Sequence, residues 1–265
     1  MSLRVALITG ASSGIGRALA IEAVKRGFSV GLMARSAEAL AETANLCSNQ
    51  IKHSDSTDNL KIFTFIGDVC LENDCRNFIE QSLLNLNRID VLINNAGFGI
   101  NKAFTVSDLA AEEDLLAVLV RTPMRLMHVA LPGMKARDKG IVINVSSVAG
   151  FIAGGTYSAS KSYVTVLSES LNTELKGGNV KVSALCPGFT RTEFHQRGRM
   201  SMKGLPAFMW LNADKLVEKA WSDALKGKAI SVPGWQYQLL TFIIRFAPRP
   251  LVRKIGMKVR VKQRR

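Results

Sequence analysis

Tyr157 and Lys161 stand four residues apart in Tyr157-Ser158-Ala159-Ser160-Lys161. On a helix that spacing puts both side chains on one face. An ammonium group beside a phenol favours the phenolate, so the pair is expected to draw the phenol's pKa down toward neutrality. Ser147, ten residues upstream of Tyr157, adds a hydroxyl that both donates and accepts hydrogen bonds. Such groups pass a proton to or from a carbonyl or alcohol oxygen. Near the start of the chain, Thr9-Gly10-Ala11-Ser12-Ser13-Gly14-Ile15-Gly16 is a glycine-rich turn of the kind that cradles a nucleotide phosphate. A proton-transfer pair and a phosphate cradle in one chain point to oxidoreduction.

These residues need a scaffold, and the apolar pattern supplies one. Residues 3–9 read as a short apolar strand, followed by the glycine turn and a helical pattern over 15–26. A second strand covers Phe28–Ala34. Ser36 then caps a predicted helix reaching about residue 47, because Ala37, Leu40, Ala41 and Ala44 recur at helical spacing. The polar stretch 48–61 reads as a surface loop. Further strands are expected at Ile62–Ile66, Val91–Asn94, Gly140–Val145 and Val180–Leu185, separated by helical segments. Strands alternating with helices imply parallel pairing and right-handed crossovers, hence a doubly wound α/β sheet. No repeat or compositional break divides residues 1–232, which read as one domain. Residues 233–265 read as a basic amphipathic extension.

In open sheets of this kind ligands bind at the carboxyl ends of the strands. The turn after the first strand would place Gly10, Ser12, Ser13, Gly14, Ile15 and Gly16 against a pyrophosphate. The second strand ends in Ala34 and Arg35, where a carboxylate would select NAD. A guanidinium there suits a 2′-phosphate, so NADP (NADPH) is expected in preference to NAD, with Arg17 available to help. The bland alternative makes Arg35 a solvated residue at a helix start. Asp68 and Val69 follow the third strand, and Asp68 suits either an adenine amino group or a helix cap. Asn94-Asn95-Ala96-Gly97 follows the fourth, with small residues that admit a cofactor or, at Asn94, a brace between strands.

Taken together the segments resemble the short-chain dehydrogenase/reductase family over about residues 3–232. The matching set is TGASSGIG (9–16), DV (68–69), NNAG (94–97), NVSS (144–147), YSASK (157–161) and PGFTRT (187–192). The resemblance implies a single Rossmann-like domain with a central sheet of about seven parallel strands. It also implies a homodimer or homotetramer built through the long helices. By the same resemblance Tyr157 is the general acid/base, Ser147 orients the substrate oxygen, and Lys161 tunes Tyr157 and holds the nicotinamide ribose. Pro187, Gly188, Thr190 and Thr192 would then anchor the nicotinamide. Two positions depart from the pattern. Leu119 stands where many members carry an asparagine that completes a proton relay, and leucine neither donates nor accepts. The loop 148–156 is also a few residues shorter than is common in the family.

Composition bounds the rest. The 265 residues carry a net charge of +14, with 47% apolar residues. Nine Lys or Arg and no Asp or Glu fall within 233–265, so the tail holds nine of the fourteen charges. Cys47, Cys70, Cys75 and Cys186 show no metal spacing and are expected to be reduced thiols, as in a cytoplasmic protein. The amino-terminal apolar run is too short for a signal peptide, and no stretch is expected to reach the length of a membrane span. His53, His128 and His195 share no ligand spacing, so no metal is expected.

Segment 189–211 holds Phe189, Phe194, Phe208, Met209 and Trp210 beside Arg191, Arg197, Arg199 and Lys203. This suits a hydrophobic or acyl-type small-molecule substrate, or ordinary core packing. In the tail, Leu239, Leu240, Phe242, Ile243, Phe246, Leu251 and Val252 interleave with Arg245, Arg249, Arg253 and Lys254. Residues 235–265 would either contact an anionic membrane surface peripherally or pack on the body or a partner subunit. Pro248 and Pro250 are expected to divide the segment into two short pieces. No recognition module for a specific nucleic acid is visible. The competing functional reading is a catalytically weak cofactor-sensing or scaffolding protein, supported by Leu119 alone.

Overall fold

Leu, Ile and Val fill the central strands because helices cover both faces of the sheet, whereas the edge strand Ile62–Ile66 is partly exposed. The structure, a computed structural model, describes residues 4–52, 59–198 and 205–264. The chain runs β1 (Arg4–Thr9), α1 (Gly14–Lys25), β2 (Phe28–Ala34), α2 (Ala37–Lys52), β3 (Ile62–Ile66) and α3 (Glu72–Leu86). It continues through β4 (Val91–Asn94), α4 (Leu109–Leu116), a π-helical turn (Ala117–Arg121), α5 (Thr122–Ala136), β5 (Gly140–Val145) and α6 (Thr156–Glu174). The last elements are β6 (Val180–Leu185), the short α7 (Phe194–Arg197), α8 (Ala213–Leu225), β7 (Ile230–Ser231), α9 (Trp235–Phe246) and α10 (Arg249–Arg264).

All seven strands are parallel, in the order β3-β2-β1-β4-β5-β6-β7. The order reverses between β1 and β4, which opens a crevice at their carboxyl ends. Alternation along β1 shows how both faces are filled. Ala6 and Ile8 join Leu19, Leu40 and Trp221 on the side of α1, α2 and α8. Val5 and Leu7 join Phe78, Leu126 and Met127 on the side of α3 and α5.

Four expected strands have the bounds read from the sequence, and so does β2. Two differences have local causes. Helix α2 continues to Lys52 rather than ending near 47, and the Ser48 hydroxyl donates to the Ala44 carbonyl within the added turn. Part of the expected loop, including His53, lies outside the described residues. Strand β7 has two residues, too few for any periodicity. It is fixed from outside, where the buried Asp223 carboxylate accepts bonds from Ser231 Oγ (2.8 Å) and Lys219 Nζ (2.5 Å) and pairs with Lys228 Nζ (2.9 Å).

The expectation about membrane spans also needs correction. Because the π turn joins α4 to α5 without a break, 109–136 forms one helical rod, long and apolar enough by composition to cross a membrane. Half of that apolar window is buried inside the protein. Its apolar residues therefore serve the core to that extent, and such a helix is weak support for a span.

The extension 233–265 forms two helices of 12 and 16 residues, longer than the short pieces expected from the prolines. Pro248 lies between them, and Pro250 sits in the first turn of α10, where a missing N–H breaks no helical bond. Tyr237, Ile244 and Val252 are buried. Gly256 sits so close to loop 148–156 that a Cβ there would come 2.5 Å from the Ala153 carbonyl oxygen. Tyr237 clamps the segment after β6. Its hydroxyl donates to the Met209 carbonyl (2.6 Å) and accepts from the Phe189 N–H (3.0 Å). Its ring covers Gly188, where a Cβ would fall 2.0 Å from a ring carbon.

Tyr237→Phe keeps the ring and removes both bonds. The variant is expected to lose about 1–2 kcal/mol of unfolding free energy in denaturant titration. Amide exchange at Phe189 should accelerate, and an unchanged exchange rate would refute the clamp.

Candidate active site

The turn between β1 and α1 is shaped by glycine. Gly10 has φ +65° and lies under the end of β4, where a Cβ would come 2.7 Å from Ala96 Cα. At Gly16 a Cβ would fall 2.2 Å from the Gly10 carbonyl oxygen. Neither position can take a larger residue without moving the backbone. Gly14 begins α1, Ile15 packs against the core beside it, and the Ser12 carbonyl accepts from Arg17 Nη2 at 2.8 Å. Ser13 is the N-cap of α1, yet its side chain makes no capping bond, and the first turn holds no acidic residue. No side chain of the helix itself caps the amino end of α1, whose dipole favours an anion, and Glu193 Oε2 would lie 3.6 Å from a Cβ on Gly14.

Strand β4 is locked to this turn. Asn95 Nδ2 donates to the carbonyls of Thr9 and Gly10, both at 3.0 Å. The amides of Asn95 and Ala96 donate to Thr9 Oγ1 at 3.1 and 3.2 Å. Thr9 is therefore a site-building residue that the sequence reading missed; its signal was only the first letter of the glycine motif. Asn94 takes the brace role, donating to Asn144 Oδ1 across to β5 at 2.7 Å. At the outer rim Arg35 is 76% exposed, with Nη1 3.6 Å from Asp68 Oδ2. Asp68 Oδ1 accepts from the Cys70 N–H, and the adjoining Val69 is buried. Arg17 is not available as an anion ligand in this arrangement. It forms a bidentate pair with Glu42, at 3.0 and 2.6 Å, which ties α1 to α2.

Ser147, Tyr157 and Lys161 converge at the carboxyl end of β5. Ser147 caps the 3-10 turn Val148–Phe151 by accepting from the Ala149 N–H, and its hydroxyl stands close enough to the Tyr157 phenol to favour the phenolate slightly. Lys161 Nζ lies 5.7 Å from the centre of the Tyr157 ring and donates to the Val145 carbonyl at 2.6 Å. The Phe194 ring packs 6.2 Å from that of Tyr157. Gly97 sits beneath: a Cβ there would meet Leu119 Cδ2 at 3.0 Å and Lys161 Nζ at 3.8 Å. Leu119, in the middle of the π turn, is buried at 1% exposure.

The electrostatics run opposite to the expected direction. Burial pushes the Tyr157 phenol up to about 12, against a smaller downward pull from the Ser147 hydroxyl. Burial brings Lys161 down to about 8. Desolvation disfavours both charged forms and is the largest cause of each shift. The pair rests as a neutral phenol beside an ammonium that is easily deprotonated.

After β6 the chain folds over the glycine turn. The Pro187 carbonyl accepts from the Val148 N–H (3.0 Å), and Thr190 Oγ1 donates to the Gly188 carbonyl (3.1 Å). A Cβ on Gly14 would meet Thr192 Cβ at 3.1 Å, so Thr192 roofs the amino end of α1. The Phe189 and Trp210 rings stand 6.3 Å apart in the following loop. The side chains of His195 and Arg197, and all of Arg199 and Lys203, lie outside what is described. Cys47, Cys70, Cys75 and Cys186 are free thiols, and His128 is exposed on α5. Among the described residues no cluster of His, Cys, Asp or Glu could hold a metal ion. Tyr237 is a second site-building residue that was missed, since an aromatic in a basic tail carries no signal of its partners.

A buried lysine with a lowered pKa costs stability below pH 8, where folding must carry its charge inside. The unfolded chain binds more protons between the folded value of about 8 and the ordinary 10.5, so this cost fades as pH rises through that window. Lys161→Met should abolish turnover yet raise the unfolding free energy at pH 7 by about 1–2 kcal/mol, net of the lost bond to Val145. The advantage should shrink toward pH 10. Equal or lower stability at pH 7 would show that the buried ammonium carries no penalty.

Known proteins share this fold. Residues 4–202 match the profile of the short chain dehydrogenase family. A ketoacyl reductase from a Nostoc species is 30% identical over 233 residues, covering 86% of this chain and 77% of that protein. A short-chain dehydrogenase from Sphingobium yanoikuyae, solved in complex with NADPH, superposes with a TM-score of 0.78 at 28% identity, over 92% of this chain and 94% of that one. A short-chain dehydrogenase/reductase from Burkholderia phymatum, solved with NAD, shares the fold at a TM-score of 0.78 and 23% identity, over 91% and 92% of the two chains. With its seven-stranded parallel sheet and a match over most of its length, the chain belongs to the short-chain dehydrogenase family, as an oxidoreductase acting on alcohol and carbonyl groups.

Proposed function

We propose that this oxidoreductase interconverts a hydrophobic or acyl-type ketone or aldehyde and its alcohol, with Tyr157 as general acid/base and NADP preferred over NAD. The observation that carries the reading is the convergence of Ser147, Tyr157 and Lys161 at the carboxyl end of β5, on the same edge of the sheet as the glycine turn before α1. The dinucleotide, when bound, supplies or accepts the hydride. Gly10, Ser12, Ser13, Gly14, Ile15 and Gly16 would hold its pyrophosphate, with Asn95, Ala96 and Gly97 alongside. Pro187, Gly188, Thr190 and Thr192 would hold the nicotinamide end, and Asp68 with Val69 the adenine.

The chain's own groups then divide the work at the substrate oxygen. Ser147 donates to it and fixes its position. Tyr157 gives its proton as the oxygen gains charge. A phenol pushed up to about 12 stays protonated through neutral pH, ready to act as the acid when a carbonyl is reduced. Lys161 supplies a cation beside that oxygen, and it loses that charge as pH rises through about 8. The ketoacyl reductase among the relatives and the Phe189, Phe194 and Trp210 rings support an acyl or otherwise apolar substrate.

For the cofactor, Arg35 is the deciding residue. Its pair with Asp68 is long and largely solvated, so it holds the guanidinium weakly. That leaves Arg35 able to take a 2′-phosphate bidentately. The two solved neighbours contain different dinucleotides and so do not choose. Assembly into a homodimer or homotetramer is supported by the exposed Met124, Val129, Tyr163 and Val166 on α5 and α6. A cytoplasmic location is in keeping with the four free thiols.

One observation favours a second reading, a catalytically weak cofactor sensor. Leu119 sets an apolar side chain over Gly97 near Lys161, so no side chain at that position relays a proton from the lysine.

Turnover of a ketone, aldehyde and acyl-thioester panel separates the two. With NADPH, Tyr157→Phe should lose about 100-fold or more in kcat, as expected for removing a general acid. Retention of wild-type rates would disprove the proton-transfer role, and tight NADPH binding without any wild-type turnover would favour the sensor. Arg35→Glu should lower the ratio of kcat/KM for NADPH over NADH by about 10–100-fold, the order of one charge-assisted bidentate contact. An unchanged ratio would overturn the cofactor preference.

A further inference from the structure

Helix α9 is apolar on two opposite faces. One face, with Tyr237 and Ile244, is buried against the body. On the other, Trp235, Leu239, Phe242, Ile243 and Phe246 follow one another at i, i+4, i+7, i+8 and i+11, a single stripe at helical period. All five are exposed, Trp235 and Phe246 at 71% and Phe242 at 63%. The Phe242 and Phe246 rings meet edge-on at 5.1 Å, so the stripe is a surface rather than a scatter of side chains. It continues into the substrate loop. Gln236 Nε2 donates to the carbonyl of Phe208, whose own side chain is exposed. Tyr237, on the reverse of the same helix, holds Phe189 and Met209.

The charge around the stripe identifies its occupant. Arg245 closes α9, and Arg249, Arg253 and Lys254 open α10, all exposed. No acidic residue occurs anywhere in 233–265. Pairing this face with a second copy about a two-fold axis would bring two clusters of the same sign together. An anionic bilayer would neutralise them while taking up the aromatic and aliphatic side chains. We propose that the outward face of α9, with Phe208, docks the enzyme on an anionic lipid surface and sets residues 207–210 against the membrane. A carbonyl compound dissolved in the bilayer then enters beside Phe208 and Trp210 without crossing water. The docking step stands apart from the reaction; only the source of substrate rests on the function proposed above.

Vesicle co-sedimentation of the full chain tests the proposal, with phosphatidylcholine vesicles compared against equal parts of phosphatidylcholine and phosphatidylglycerol. Binding is expected to the anionic vesicles, weakening as salt is added. Phe242→Asp combined with Phe246→Asp should lower the affinity at least tenfold while leaving turnover of a water-soluble carbonyl as in the wild type. Both positions are exposed, and thermal unfolding of the variant checks that the fold is kept. Arg249→Glu with Arg253→Glu should abolish the preference for anionic over neutral vesicles. The proposal fails if the wild type stays in the supernatant with both vesicle types, or if the double aspartate variant sediments like the wild type. It fails equally if sedimentation equilibrium shows that variant dissociating an oligomer, for the face then belongs to a second copy. Loss of soluble turnover in the wild type would instead count against the proposed reaction and leave vesicle binding as an independent result.

Discussion

An ammonium group kept inside the protein is the constraint on which the active site depends. Lys161 is buried, and its Nζ is held by the carbonyl of Val145, the last residue of β5. That bond fixes the rotation of α6 about the sheet and hence the position of Tyr157 one turn earlier. Ser146 reinforces it by donating to the Lys161 carbonyl at 2.8 Å. Ser147 follows in extended conformation and meets the phenol. A charge with so little solvent is tolerated at a cost. The depressed pKa records that cost, and the carboxyl end of the sheet is where it serves chemistry.

Much of the scaffold was readable because its signals are local. Contiguous runs such as Val91-Leu92-Ile93 have no polar face to hide, and a parallel sheet covered on both sides calls for them. The turn at Gly10 was readable because a positive φ and a close approach leave few residue types. Signals that are not local were lost. Two residues of β7 carry no period, and what holds them is a carboxylate eight positions earlier. Tyr237 reaches back 48 residues to the Phe189 amide, a distance over which sequence spacing says nothing.

The phenol illustrates a subtler limit. Four-residue spacing correctly implies that Tyr157 and Lys161 share a helix face, and the structure brings them together. Spacing does not say how much protein surrounds them. Once Phe194 and the turn Val148–Phe151 close over the pair, desolvation decides the sign of both shifts. A neutral phenol is a poorer base and a ready acid. The same two residues therefore suit a different resting protonation state from the one their spacing alone suggests.

The short loop 148–156 and the carboxyl-terminal extension make one structural unit. Gly256 of α10 presses on Ala153 so closely that no side chain would fit, while Tyr237 of α9 covers Gly188. The rim of the active site is thus met by residues far along the chain. Helix α9 has two sides, one holding the segment after β6 through Tyr237 and one facing solvent. Movement of that helix at a surface would be transmitted to Phe189 and Met209 through the Tyr237 hydroxyl and to Phe208 through Gln236.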